Sequence, residues 1–415
     1  MAVWCGIAIT LTAPGQTIGV SAYLDSFKTD LNLTDNSVGL AYMVGTLSGA
    51  VALPFIGRWI DVFGVRRSMF VIACVFSSAV ALTGAVQGVF TLGLAFAGIR
   101  MFGQGSLSLA GTTGIALWFD VRRGYALAWV MTLSAGLMAL APLALTQAID
   151  TFGWRLAWVV VASFVFVIVA PMSWFLIVDR PGSIGQEPDG IALAHDAPSR
   201  TAFDFTVAES VRTLAFWSLA LVMFATGALI TGLTFHHFTI MEGQGLTKSE
   251  AALVFVPQMV ATFATSFAVS WMTDGVSSRI LQPFSMLTLA AAMLWLERVT
   301  PGFNAVVYGV LTGLAGGAAR GVFSAYYPKW FGVTHAGAIR GVASSIGVAA
   351  SAVGPIMVSF GKDLTGSYRT TMFVLISVPI AGLVASAIVG APTHPNRSPQ
   401  IRPKPNREAP VVPPR

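Results

Sequence analysis

Arg100 and Arg320 stand in stretches that are otherwise almost wholly apolar. A guanidinium stays charged and presents a planar fork that can grip both oxygens of a carboxylate. In hydrocarbon such a charge is costly, so it faces protein or water rather than lipid. The two arginines are therefore candidate ligands for an anion in a central cavity. For Arg100 a purely structural role competes with that one. Gln16, Gln104 and Gln258 are also polar and mid-stretch; each either faces the cavity or bonds a neighbouring helix. No Asp or Glu lies deep in any apolar stretch, since Asp25, Glu242, Glu297 and Asp363 all fall near the ends. A cavity with arginines and no carboxylate is electropositive, which suits an anion and disfavours a hydrophobic cation.

Two further groups could do chemistry. His236 and His237 close an apolar stretch near its end, and Asp25 lies near the end of another. Histidine titrates near neutral pH, so these residues are candidates for proton coupling; the simpler expectation is a pair that snorkels to interfacial water. The run Gly57-x-x-x-Asp61-x-x-Gly64-x-Arg66-Arg67 concentrates charge between two apolar stretches, and Arg122 and Arg123 do so in a later loop. An aspartate near helix N-termini and arginines is stabilised by their charge, though arginines there would also serve topology alone. No catalytic cluster, metal motif or cofactor site is evident: Cys5 and Cys74 are far apart, and nothing fits Gly-x-x-x-x-Gly-Lys-Ser/Thr.

The elements that must carry these residues follow from composition. The chain is 55% hydrophobic and only 10% charged, with a mean hydropathy of +0.74. A soluble domain is about a quarter charged, so lipid must be the main solvent. About twenty apolar residues cross the hydrocarbon layer. Twelve such stretches can be counted, at 2–24, 37–57, 68–88, 90–118, 125–148, 156–178, 213–240, 249–273, 281–299, 303–331, 341–361 and 370–391. The polar segment 179–212 divides six from six, giving halves at 1–178 and 213–392, and the Pro- and Arg-rich tail 393–415 reads as disordered. Sixteen Lys and Arg fall on the side of Arg66 and the tail, against six on the side of Lys28. That bias makes both termini and the central loop cytoplasmic. The net charge of +6 therefore serves orientation in a bilayer, not nucleic acid.

The halves repeat. Asp61 and Asp274 are 213 residues apart, as are Arg66 and Arg279, Pro142 and Pro355, and Asp150 and Asp363. Trp118-Phe119 recurs as Trp330-Phe331 at an offset of 212, which also aligns Ser108 with Arg320. Six helices per half make this a parallel repeat, with a pseudo-two-fold axis along the membrane normal.

The Gly57-to-Arg67 loop resembles the motif between the second and third helices of the major facilitator superfamily. Arg100-x-x-Gly103-x-Gly105 resembles the family's fourth-helix motif. The loop Trp118-Phe119-x-x-Arg122-Arg123-Gly124 and the corner Gly153-Trp154-Arg155 are similar to the monocarboxylate and oxalate–formate antiporter branch. The resemblance covers the chain to about Gly390. It implies an all-α membrane protein of the major facilitator fold, with twelve transmembrane helices in two six-helix bundles. It also implies that Gly57, Asp61, Gly64, Arg66, Arg67, Arg122, Arg123, Asp274 and Arg279 form a gate favouring the state closed to the cytoplasm. In three respects the chain departs from the branch: helix eight carries Gln258 and no cation, the second loop copy lacks the basic pair, and the signature at the start of the first helix is not evident.

The expected function is secondary transport of a small organic anion across the cell membrane by a monomer that needs no cofactor. Export of drugs or neutral solutes is the alternative. A membrane-embedded enzyme is a weaker one, because no deep acid accompanies the histidines.

Overall fold

A chain in hydrocarbon must satisfy each backbone N–H and C=O from within, and a helix does so along a single apolar run. The computed structural model describes residues 1–119, 123–186, 205–273, 275–332 and 336–392. Arg122, Asp274 and the 393–415 tail lie outside the described residues, as do the side chains of Asp61 and Arg123.

The first half begins with α1, which is broken into Ala2–Thr10, Ala13–Gly15 and Thr17–Ser21. It continues through α2 (Asp35–Phe63), α3 (Val65–Thr83), α4 (Val89–Ile99, Arg100–Leu107 and Ser108–Trp118), α5 (Arg123–Ala139 and Ala141–Phe152) and α6 (Trp154–Phe175). The second half has α7 (Leu214–Phe235), α8 (Lys248–Leu253 and Phe255–Met272), α9 (Ser278–Trp295), α10 (Phe303–Phe331), α11 (Ala336–Thr365) and α12 (Tyr368–Leu375 and Ser377–Ile388). Among the described residues, ten helices are long and apolar enough alone to cross a membrane; α1 and α4, each in three pieces, are not among them.

Both interruptions have local causes. The continuous first helix expected over 2–24 instead opens at Thr12–Gln16. Pro14 has no N–H to donate, and Gln16 is extended at φ −92° and ψ 159° before the helix resumes. In α4 the turn widens to a π-helix over Arg100–Leu107, and the Ser106 hydroxyl donates to the Met101 carbonyl five residues back at 2.6 Å. Such wide turns are frequent at functional sites in helices. The seventh stretch, expected to run to 240, ends at Phe235; His236 is the joint before a separate helix, His237–Gly243.

One apolar core is built almost wholly from residues of the first half, around the stack of Tyr23 on Trp158 at 4.2 Å. Two more fill the second half. There α10 carries glycines at 309, 313, 317 and 321, every fourth residue and so on one face. A methyl group on any of them would drive into an α8 carbonyl, at Val254, Gln258, Thr262 and Ser266 in turn. Small residues thus let the two backbones touch, as in other membrane helix pairs. Gly317→Val is expected to destabilise the protein by about 3 kcal/mol or more, beyond ordinary overpacking, because backbone rather than a flexible side chain must yield. Thermal unfolding in detergent checks this against Gly243→Ala, which meets open space and should leave the midpoint unchanged.

The halves meet along α2 with α11, α5 with α8, and α1 with α7. Gly39 on α2 lies against Ile356 and Ser359 of α11. Tyr42 of α2 packs on Phe235 of α7, with ring centroids 4.7 Å apart.

Candidate functional site

Between the halves lies a two-chambered cavity. One chamber is about 250 Å³, between α1, α5, α7, α8 and α10. The other is about 590 Å³ and continues along α5, α8 and α10. They share Gln16, Ala135, Met138, Thr262, Phe263 and Arg320. On α8 the residues Gln258, Thr262, Ser266 and Ser270 follow at four-residue spacing and all face the cavity. This ladder leads toward the end of α8 at Met272, which is the end carrying Arg66 and Arg279.

Arg320 stands where the chambers join, exposed to the cavity. On α10 it shares a face with Gly316 and Ser324, four residues to either side. Helical side chains lean toward the N-terminus of their helix, so Arg320 extends toward Gly316, which carries no side chain of its own and has Ile230 of α7 beside it. Among the described residues Arg320 has neither hydrogen-bond nor ion-pair partner, and it is the only ionisable group lining either chamber. Across the cavity lies Ser108, its repeat equivalent.

Gln16 and Gln258 also line the cavity. The break in α1 places Gln16 there, and its amide donates to the Thr12 hydroxyl at 3.1 Å. Gln104 is outside these walls; its Oε1 is buried without a hydrogen-bond partner.

Arg100 does not share the cavity with Arg320. It is 3% exposed, at the junction of α1, α2 and α4. Its Nε donates to the Thr46 hydroxyl at 3.1 Å and one terminal nitrogen to the Gly15 carbonyl at 3.2 Å. The guanidinium lies over the Tyr42 ring, 4.8 Å from its centroid. The expectation that both arginines point into one cavity is therefore corrected: a backbone carbonyl, a hydroxyl and a ring hold Arg100, and its bond to Gly15 pins the broken turn of α1.

At the opposite end the halves are joined by a polar network. Lys362 of α11 pairs with Asp35 of α2 at 2.6 Å, and Lys28 reaches the same carboxylate at 3.2 Å. Lys28 also pairs with Asp25 at 2.6 Å. The Thr239 hydroxyl donates to Asp25 at 2.9 Å while accepting from Lys28 at 3.2 Å. The Tyr368 hydroxyl donates to Asp35 at 3.2 Å. Burial opposes the charge on Lys28, but bonds to Asp25 and Asp35 and their fields outweigh it and raise its pKa. The bonds that join the halves here are Lys28–Thr239, Thr239–Asp25, Asn36–Asp363, Lys362–Asp35 and Tyr368–Asp35.

The histidines do not snorkel. His236 is fully buried and His237 is 2% exposed. His236 Nε2 is 3.1 Å from the Pro355 carbonyl and its Nδ1 is 3.4 Å from the Tyr368 hydroxyl, so it borders the network. His237 Nε2 is 2.8 Å from the Ala251 carbonyl, and its ring lies 4.4 Å from that of Phe255. Both rings meet backbone of packed helices, and that contact outcompetes water.

With this geometry established, comparison with known proteins is decisive. The profile of the Major Facilitator Superfamily matches residues 5–274, well over half of the chain. The chain belongs to the Major Facilitator Superfamily. Two solved structures with the same fold are those of a bacterial homolog to the human lysosomal transporter Spinster. Its inward-facing, unoccupied form has a TM-score of 0.71 at 14% identity, over 93% of this chain and 96% of that one. The inward-facing, occupied form has a TM-score of 0.68 at 16% identity, over 93% and 95%. No curated protein matches the sequence. As a facilitator-superfamily protein the chain is a multi-pass membrane transporter of the all-α facilitator fold.

The superfamily loop is partly described. Gly64 takes φ +82°, the left-handed side that favours glycine, and a side chain there would collide with the Asp179 carboxylate. That carboxylate accepts from the Arg66 backbone N–H at 2.8 Å, and Arg66 Nε donates to the Trp174 carbonyl at 2.7 Å. In the second half Arg279 lies against the backbone at Gly390, just past α12. Each repeat copy thus clamps the end of its half's sixth helix. Gly57 lies on α2 and Arg67 is exposed.

The residues overlooked in the sequence are Asp35, Lys28, Lys362 and Tyr368, and the hydroxyls below Gln258. The network residues stand at helix ends, where charge reads as topology. The α8 hydroxyls did carry a signal, their four-residue spacing.

Proposed function

We propose that the protein is a secondary carrier that moves a small organic monoanion across the cell membrane by alternating access, with Arg320 as the anion's partner. The observation that carries this reading is Arg320 at the junction of the chambers, without a partner among the described residues. An intramembrane cation without a counter-ion is retained against its cost when a ligand supplies the missing charge. Resemblance to the monocarboxylate and oxalate–formate branch supports the same class of substrate.

With both termini cytoplasmic, as the Lys and Arg bias has it, the network at Asp35 closes the outer end and the cavity faces inward. Asp61 and its neighbours would close the other end in the alternate state. Gln16 and Gln258 line the anion's route, and the cavity is complete within one chain, so a monomer suffices. His236 and Asp25 belong to the outer closure, where a proton could be coupled to its opening.

Counterflow in proteoliposomes tests this. Unlabelled organic acid inside should accelerate uptake of the labelled acid several-fold, because a loaded carrier reorients faster than an empty one. Absence of trans-stimulation with every acid tried, together with transport of a neutral drug-like solute, would sink the anion reading and leave the exporter.

A further inference from the structure

Two faces of the cavity differ, that of α5 and the polar one along α8 and α10, although Gln16 and Ser108 of the first half and Phe255, Phe263 and Phe267 of α8 also line it. From the second half come Arg320, Ser324 and the α8 ladder of Gln258, Thr262, Ser266 and Ser270. From the first half α5 presents Met131, Ala135, Met138 and Ala139, relieved there only by Thr132. Resting on the anion reading, we infer that the substrate is an amphipathic acid with a single charge. Its carboxylate lies on Arg320, its polar edge faces α8 and α10, and its apolar body lies against the α5 methionines.

The charge count follows from the lining. Arg320 is the only ionisable side chain there among the described residues, and one fork satisfies one carboxylate. A dicarboxylate would bring a second charge into the site with no partner, which desolvation penalises heavily. The apolar body follows from α5. Methionine side chains are flexible and polarisable, so they mould to irregular or flat apolar groups. Met259 and Phe263 of α8 extend that surface by packing onto α5 at Gly136. A short hydrophilic acid such as acetate reaches Arg320 but leaves this wall in water, gaining nothing from its burial. The ladder adds less polarity than its composition implies, because the Thr262 hydroxyl donates to the Gln258 carbonyl at 2.7 Å.

The test is equilibrium binding to the purified full-length protein with four probes: 4-phenylbutanoate, acetate, succinate and 4-phenylbutanamide. The inference expects 4-phenylbutanoate to bind at least tenfold tighter than acetate, succinate or the amide. In Met131→Ser/Met138→Ser the preference for 4-phenylbutanoate over acetate should shrink to within about threefold, by loss of buried apolar area. Acetate or succinate binding as tightly as 4-phenylbutanoate to the wild-type protein overturns the amphipathic assignment and leaves the anion reading standing. So does an unchanged preference in the double variant. The amide alone binding, with all three acids silent, overturns both. The wild-type series decides the question even where the double variant fails to fold.

Discussion

Arg320→Gln is expected to lower affinity for an organic monoanion by roughly 100-fold or more. Two charge-assisted hydrogen bonds are lost, each worth about 1.5–3 kcal/mol, and every 1.4 kcal/mol is about tenfold. Arg320→Lys keeps the charge and loses the fork, so roughly a tenfold weakening is expected. Misfolding would not explain either result. Arg320 has no partner among the described residues, so neutralising it removes an unpaired intramembrane cation and breaks no described bond. Its thermal midpoint should hold or rise while binding falls. Isothermal titration with 4-phenylbutanoate, alongside unfolding curves, measures both quantities. Equal affinity in wild type and Arg320→Gln would remove Arg320 from the site.

Asp35→Asn is expected to loosen the end of the molecule that the network closes. It removes the shared acceptor of Lys28 and Lys362, which approach Asp35 at 3.2 and 2.6 Å. Asp35 is 8% exposed and Lys362 33%, so the pair is only partly desolvated. Full burial would make its breakage cost about 3–5 kcal/mol; partial exposure reduces this to about 1–3 kcal/mol. A bias of that size raises the population of the alternate state roughly 5- to 150-fold. Ser359, fully buried where α11 meets Gly39 of α2, is the reporter site. A cysteine there, with Cys5 and Cys74 replaced by alanine, should react with a membrane-impermeant maleimide far faster when Asp35 is also Asn. Equal reactivity in the two backgrounds, with normal transport, would mean that apolar packing of α2 on α11 closes that end unaided.

Both predictions concern residues whose importance differs from their prominence in the sequence. Arg100 and Arg320 look alike there, each a lone cation in an apolar run. Their fates diverge because Arg100 meets the open turn of α1 and the Tyr42 ring within its own half, whereas Arg320 lines the cavity between the halves. Neither the Gly15 carbonyl nor the ring is near Arg100 in sequence, so no local pattern separates the two residues. His236 and His237 were similarly ambiguous. A histidine at a helix end snorkels only where water is within reach, and here Pro355 and Ala251, on α11 and α8, stand in its place.

The sequence by itself determined that this is a helical membrane protein of two repeated halves. Those conclusions rest on quantities internal to a segment or to a pair of segments. They are the length of an apolar run against the bilayer, the low share of charged residues, and the recurrence of Asp, Arg and Pro at one offset. The break in α1 has a local cause in Pro14, yet an apolar run from 2 to 24 reads as one continuous helix. Tertiary structure alone decided which cation lines the cavity and which is bound within its own half, and at which end a polar network joins the halves. Each of those depends on what a side chain finds across a gap between helices. Asp35 and Lys362 are 327 residues apart, and only the docking of α2 on α11 makes them a pair.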